Sequence, residues 1–320
     1  MISPYVIGAF AEPRGTFRVA AGRYTGVTGS AVTVTCGFQP QAIFVKSISA
    51  GASDDPVVCF FNMGGSGATG GCSTWEPPTI PSLGPIRVTG TGASAGFSLD
   101  SGSAITNTGG GTYQYVALRG NVGTEVWTGT YTGDGADNRY IGSTGGANFV
   151  MLIRRVTANG ISYRFSSETG DASFNSTMSA SAEVANFIQE LGASGATYTF
   201  QVGTAAHVNG ATRVIDWIAV KVPLKGGTVG SYVGTGSSGA TMSLSPWTFN
   251  ADAVIIKGGT ATAPIIAVRD FEDSSSVFSN SAVNQNSRIQ RMPAGQIQVG
   301  SNVQVNQSGV TYHFLALTDT

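Results

Sequence analysis

Three times along the chain an aromatic residue sits inside a run of glycine and small polar residues, and three times, further on, large apolar residues alternate and end on alanine. The openings are Gly22-Arg23-Tyr24-Thr25-Gly26, Gly129-Thr130-Tyr131-Thr132-Gly133 and Gly230-Ser231-Tyr232-Val233-Gly234. The endings are Tyr113, Tyr115, Ala117, then Ile215, Trp217, Ala219, then Tyr312, Phe314, Ala316. Repetition on this scale constrains the fold more than local propensity does, because one structural unit has to suit all three copies. The opening tyrosines stand 107 and then 101 residues apart, which sets a unit of about one hundred residues, the size of a small β-sandwich. The 320 residues hold three such units and a short leader.

Alternation of period two places the three ending side chains of each copy on one face of a strand, with Gln114, Asp216 and His313 on the other. A second shared strand lies between the marks. It reads Phe38-Gln39-Pro40-Gln41-Ala42-Ile43-Phe44-Val45-Lys46 in copy one and Phe249-Asn250-Ala251-Asp252-Ala253-Val254-Ile255-Ile256-Lys257 in copy three. Copy two keeps Phe149 to Ile153 and a basic end, Arg154 and Arg155, without the preceding Phe and Pro. An unbroken run of β-branched and aromatic residues is the pattern of a strand buried on both faces. In copy three Val277, Phe278, Ile289, Ile297, Val299, Val303 and Val305 read as half-buried strands.

One segment, Ser181 to Leu191, reads as helix, because Val184, Phe187, Ile188 and Leu191 fall at i, i+3, i+4 and i+7 and Gly192 follows. Phe187 and Ile188 also suit the start of a strand. The expected fold is all-β: three tandem β-sandwich or jelly-roll-like repeats, compatible with pseudo-threefold packing, and one short helix. Residues 1–21 form an N-terminal arm and 22–120, 121–223 and 224–320 the three repeats. The arm has no counterpart in the repeats and is expected to lie on a neighbour or to add a strand to a sheet edge.

Glycine supplies 45 residues and charged residues only 11%, against about a quarter charged in ordinary domains. The surface must then be built largely from Ser, Thr, Asn and Gln. At 41% hydrophobic the chain is too apolar for disorder, and its glycines lack the strict period of collagen. A net charge of −1 gives no basic footprint for nucleic acid. No uncharged apolar run approaches the ~18 residues of a spanning helix, so no membrane insertion is expected. Met1 to Gly15 has no early Lys or Arg, does not read as a signal peptide, and points to synthesis in the cytoplasm. The three cysteines, Cys36, Cys59 and Cys72, lack metal-site or redox spacing. They read as a buried Cys36 with two loop-borne thiols, the alternative being a Cys59 to Cys72 disulfide in a protein that leaves the reducing cell.

Catalytic chemistry finds little support. The acidic groupings are Asp54 with Asp55, Asp134 with Asp137, and Asp270 with Glu272 and Asp273. Glycan cleavage needs two carboxyls held across a sugar-gripping groove, whereas Asp134 and Asp137 lie in a Gly-rich stretch where Asp serves turns. The Asp270 cluster lacks the Gly and spacing of a calcium loop. His207 and His313 sit in different copies with no nucleophile motif, and His313 is expected to face solvent or a neighbouring subunit. No catalytic residue, metal or cofactor is expected. Among the aromatics, Trp75, Trp127, Trp217 and Trp247 with Tyr24, Tyr131 and Tyr232 are the available platforms for sugar stacking. Trp217 belongs to the inward set. Trp75, beside Glu76, Pro77 and Pro78, and His313 are the two candidates for partner contact.

The run Tyr131, Thr132, Gly133, Asp134, Gly135 with Asn138 and Arg139, and the strand Phe38 to Lys46, resemble a repeat of tailed-bacteriophage virion proteins. There a Gly-Tyr-Thr-Gly-Asn/Asp-Gly opening precedes a Phe-x-Pro-Asp-x-Val-x-Val-Lys strand, in tail fibre-like or structural proteins. The resemblance spans most of the chain as three diverged copies and carries no site residues. It implies a non-enzymatic virion component, a capsid decoration or a tail or fibre part, whose partners are other virion proteins. The rivals are a receptor-binding tip that recognises a host surface glycan, a capsule-degrading depolymerase, and a secreted adhesin.

Overall fold

The computed structural model describes residues 17–49, 57–61, 71–74, 86–101, 103, 105–154, 161–175, 184–259, 264–269, 274–277, 284–286 and 288–319. Within them the chain builds the same pair of antiparallel sheets three times. In the first repeat β1 (Arg18–Thr25), β2 (Val32–Thr35), β3 (Ala42–Ser47), β4 (Val57–Phe60), β5 (Gly71–Thr74), β6 (Ile86–Thr89), β7 (Gly96–Leu99) and β8 (Thr112–Arg119) form a large sheet, β1-β8-β3-β4-β5, and a small one, β2-β7-β6.

The second repeat has β9 (Val126–Thr132), β10 (Arg139–Ile141), β11 (Phe149–Arg154), β12 (Ile161–Phe165), β13 (Ala172–Asn175), β14 (Val184–Ala185), β15 (Ile188–Leu191), β16 (Phe200–Val202), α1 (Ala206–Asn209) and β17 (Val214–Val220). Its sheets run β14-β13-β12-β11-β17-β9 and β10-β16-β15. The third has β18 (Gly227–Val233), β19 (Ala240–Ser243), β20 (Ala253–Gly258), β21 (Ile265–Val268), β22 (Ser274–Val277), β23 (Asn284–Asn286), β24 (Ile289–Arg291), β25 (Gln296–Val299), α2 (Val303–Asn306) and β26 (Thr311–Leu317), in sheets β18-β26-β20-β21-β22-β23 and β19-β25-β24. In each repeat the first strand pairs with the last and the last with the third.

The register repeats as well as the order. Ile43 lies opposite Ala117, Val150 opposite Ala219 and Val254 opposite Ala316. The alternating endings point into the sandwiches: Tyr113, Tyr115 and Ala117 into the first core, Ile215, Trp217 and Ala219 into the second, Tyr312, Phe314 and Ala316 into the third. The opposite faces of the same strands meet in one shared core, with Phe44, Val116 and Leu118, Met151, Ile218 and Val220, and Ile255, Leu315 and Leu317 together. That is why β3 and β20 are buried along their whole length: one face fills a sandwich and the other fills the centre.

Around this centre the repeats close a ring head to tail. The fourth strand of each repeat packs on the last strand of the next, β4 on β17, β12 on β26 and β21 on β8. A head-to-tail contact that repeats with the same strands and returns to its start is a closed heterologous interface, here within one chain. Asp319 fastens the third repeat to the first: its carboxylate accepts from Arg18 Nε at 2.7 Å and from the Val19 backbone N–H at 3.0 Å.

The opening motif has a physical explanation that is the same in all three copies. Each opening tyrosine donates its hydroxyl to a carbonyl just before the last strand: Tyr24 to Thr106 at 2.7 Å, Tyr131 to Val208, and Tyr232 to Val305 at 2.6 Å. The glycine two residues on lies against the same connection. A Cβ at Gly26, Gly133 or Gly234 would stand 2.2 Å from the carbonyl oxygen of Thr108, Gly210 or Gln307. Beside each, a buried asparagine ties down the loop after the first strand, Asn107 to Val27 and Ser30, Asn209 to Asp134 and Ala136, Asn306 to Thr235 and Ser237.

Four expectations change. Val184–Ala185 and Ile188–Leu191 are strands, not a helix. A bulge at Gln189, between Ile188 opposite Val202 and Glu190 opposite Gln201, shifts the alternation by one residue, so apolar Phe187, Ile188 and Leu191 take on a helical spacing. The two short helices are instead α1 and α2, so Val303 and Val305 are helical. The strand of the first repeat begins inside the expected arm, since Arg18 to Ala21 pair with β8 and Phe17 is buried in the shared core; residues 1–16 lie outside the described residues. Cys59 is a strand residue engaged in a disulfide, facing Cys72 in the register of β4 against β5, while Cys36 is a half-buried free thiol.

Candidate functional site

His313 is 5% exposed and sits inside the seam between the second and third repeats. Its Nδ1 is 2.9 Å from the hydroxyl of Ser167, which also donates to the Gly230 carbonyl. The imidazole stacks on Phe165, and Phe174 lies beside it at 6.1 Å. Lys257 Nζ lies 4.7 Å from the centre of the Phe174 ring, a cation-π geometry. Burial, and then the charges of Arg164 and Lys257, push the imidazole down to about 4. His313 is thus a neutral seam residue, and its neighbour is another part of the same chain. Its equivalents Gln114 and Asp216 are buried too, because this face of the last strand always meets the preceding repeat.

The other candidates divide cleanly. Trp75 lies outside the described residues, as do Asp54, Asp55, Asp270, Glu272 and Asp273. Trp127, Trp217, Trp247 and Tyr131 are buried in sandwich interiors. Asp134 is a turn residue: its Oδ1 accepts from the Ala136 N–H at 2.9 Å, which holds its carboxyl below the usual range, with Arg139 3.3 Å away. Among the described residues no three His, Cys, Asp or Glu gather as metal ligands.

A cleft of about 500 Å³ opens in the second repeat, next to the His313 seam, lined by Asn148, Arg164, Ser166, Glu168, Glu190, Ser194 and Lys221 among others. Arg164 is fixed there by donating to the Ile188 and Gly170 carbonyls, both at 2.8 Å. Both signs of charge and several hydroxyl and amide groups equip the cleft for a polar ligand.

Beside it, on the outer face of the small sheet, Tyr140 lies opposite Gln201 and Gln201 opposite Glu190. Tyr140 is 59% exposed. It packs on Tyr198 with ring centres 4.2 Å apart and planes tilted by 35°. Tyr198 in turn donates its hydroxyl to Glu190 Oε1 at 2.9 Å; desolvation and that carboxylate push the phenol up to about 12, so it stays a donor. This aromatic pair is absent from the sequence reading, since nothing in the chain marks Tyr140 and Tyr198 as neighbours; only the strand register does.

No protein-family model matches the chain, and no curated protein matches it.

Proposed function

We propose that this chain is a non-enzymatic structural component of a tailed-bacteriophage virion that works by protein-protein contact, as a capsid decoration. The observation that carries the reading is the ring of seams β4 on β17, β12 on β26 and β21 on β8. One chain thereby imitates a trimer, and such a body fits a threefold or quasi-threefold position on a particle. A fibre built from the same repeats would string them end to end and leave its last seam open, whereas Asp319 bridges back to Arg18 and Val19.

The exterior suits this role. Outer positions of the first and third small sheets carry short or amide side chains, Thr33 opposite Ser98 and Thr241 opposite Gln298. Polar faces of this kind favour wet contacts between virion proteins. The test is to add purified protein to particles that lack it and image them. Density for one chain at each threefold or quasi-threefold site supports the proposal, and attachment confined to the tail, or none at all, overturns it.

A further inference from the structure

We propose that the outer face of the second repeat's small sheet binds a neutral oligosaccharide, with Tyr140 and Tyr198 as the stacking platform and Glu190 as the hydrogen-bonding group. The sandwich does not require this platform. In the same cross-strand row the first repeat has Thr33, Ser98 and Arg87, and the third has Thr241, Gln298 and Arg291. The exposed Tyr140 ring, found in this row in one copy alone, therefore serves something other than folding. The Glu190 bond holds the Tyr198 ring in place before any ligand arrives, which lowers the entropy lost on binding.

The polar groups around the rings match a sugar. Glu190, which anchors Tyr198, also lines the cleft of about 500 Å³, within the range of small-ligand sites. Aromatic faces take the C–H face of a sugar ring, and carboxylates accept from its hydroxyls. The Glu190 carboxylate bonded to the platform opposes an anionic chain, so a neutral one is the fit.

The experiment uses the full chain with chitohexaose, cellohexaose and maltohexaose as neutral probes and an oligomer of sialic acid as the anionic one, followed by saturation-transfer NMR and calorimetry. At least one neutral probe is expected to bind with a Kd of about 1 mM or tighter. Tyr140→Thr, which installs the residue of the other two repeats, should fold with an unchanged Tm and weaken binding at least about tenfold. Tyr198→Phe should weaken it severalfold, and Thr33→Ala should leave it unchanged. No neutral probe binding in the millimolar range, binding only of the sialic acid oligomer, or equal binding by Tyr140→Thr would overturn the site. Any of these leaves the assignment to the particle standing, because that rests on the ring and not on this face.

Discussion

Ser167 and His313, 146 residues apart in sequence, meet at 2.9 Å across the seam between the second and third repeats. The contact joins a turn after the fourth strand of one sandwich to the last strand of the next, the relationship by which the ring is built. It also places a titratable group where water is excluded.

The first prediction follows from that burial. His313 titrates at about 4 in the folded chain against an ordinary value of 6.5. Below pH 6.5 the unfolded chain takes up a proton that the folded one refuses, so this group's contribution is whole above pH 6.5 and is lost as the pH falls toward 4. Between pH 7.5 and 4.5 it amounts to about 2 kcal/mol. The unfolding free energy from urea titrations should fall by that much more between the two pH values in the natural chain than in His313→Gln, which installs the residue found at the equivalent Gln114. Equal falls in both proteins would contradict the assignment.

A second prediction concerns the opening motif. In Gly133→Ala the new methyl would stand 2.2 Å from the Gly210 carbonyl, and backbone on both sides has to move. The expected loss is about 2–4 kcal/mol, measured by denaturant unfolding. Gly135→Ala is a useful contrast, since its methyl meets open space but its φ of +76° is unfavourable for alanine, and the smaller penalty of about 1 kcal/mol is expected.

The cysteines give a third. Cys59 is disulfide-bonded and Cys36 is not. Mass mapping without reductant should find Cys59 oxidised, and reduction should lower stability by about 2–3 kcal/mol, the scale for a loop of this length. Burial raises the Cys36 thiol to about 12, so alkylation at pH 8 should be slow in the folded protein and fast in urea. Rapid labelling of all three thiols without reductant would contradict this.

Much of the fold is visible in the residues because alternation survives divergence. Tyr113, Ile215 and Tyr312 occupy one position although the middle copy has Ile where the others have Tyr, and the doubly buried β3 and β20 announce themselves as unbroken apolar runs. The bulge at Gln189 hides a strand, because one inserted residue makes period two look helical. His313 misleads for a different reason. A polar residue alternating with aromatics has the pattern of an outward face, and sequence does not reveal that the outward face of one sandwich is the inward face of a ring. The tyrosine platform is illegible because Tyr140 and Tyr198 have the composition of core residues and acquire their meaning only from neighbouring strands.

Differential scanning calorimetry of the full chain tests the ring most directly. Phe44, Met151 and Ile255 share one core, so no sandwich can open without exposing the apolar face of its neighbours. A single transition is predicted, with calorimetric and van't Hoff enthalpies equal. Three resolved transitions, each the size of one hundred-residue domain, would show that the sandwiches stand alone and that the shared centre does not hold them together.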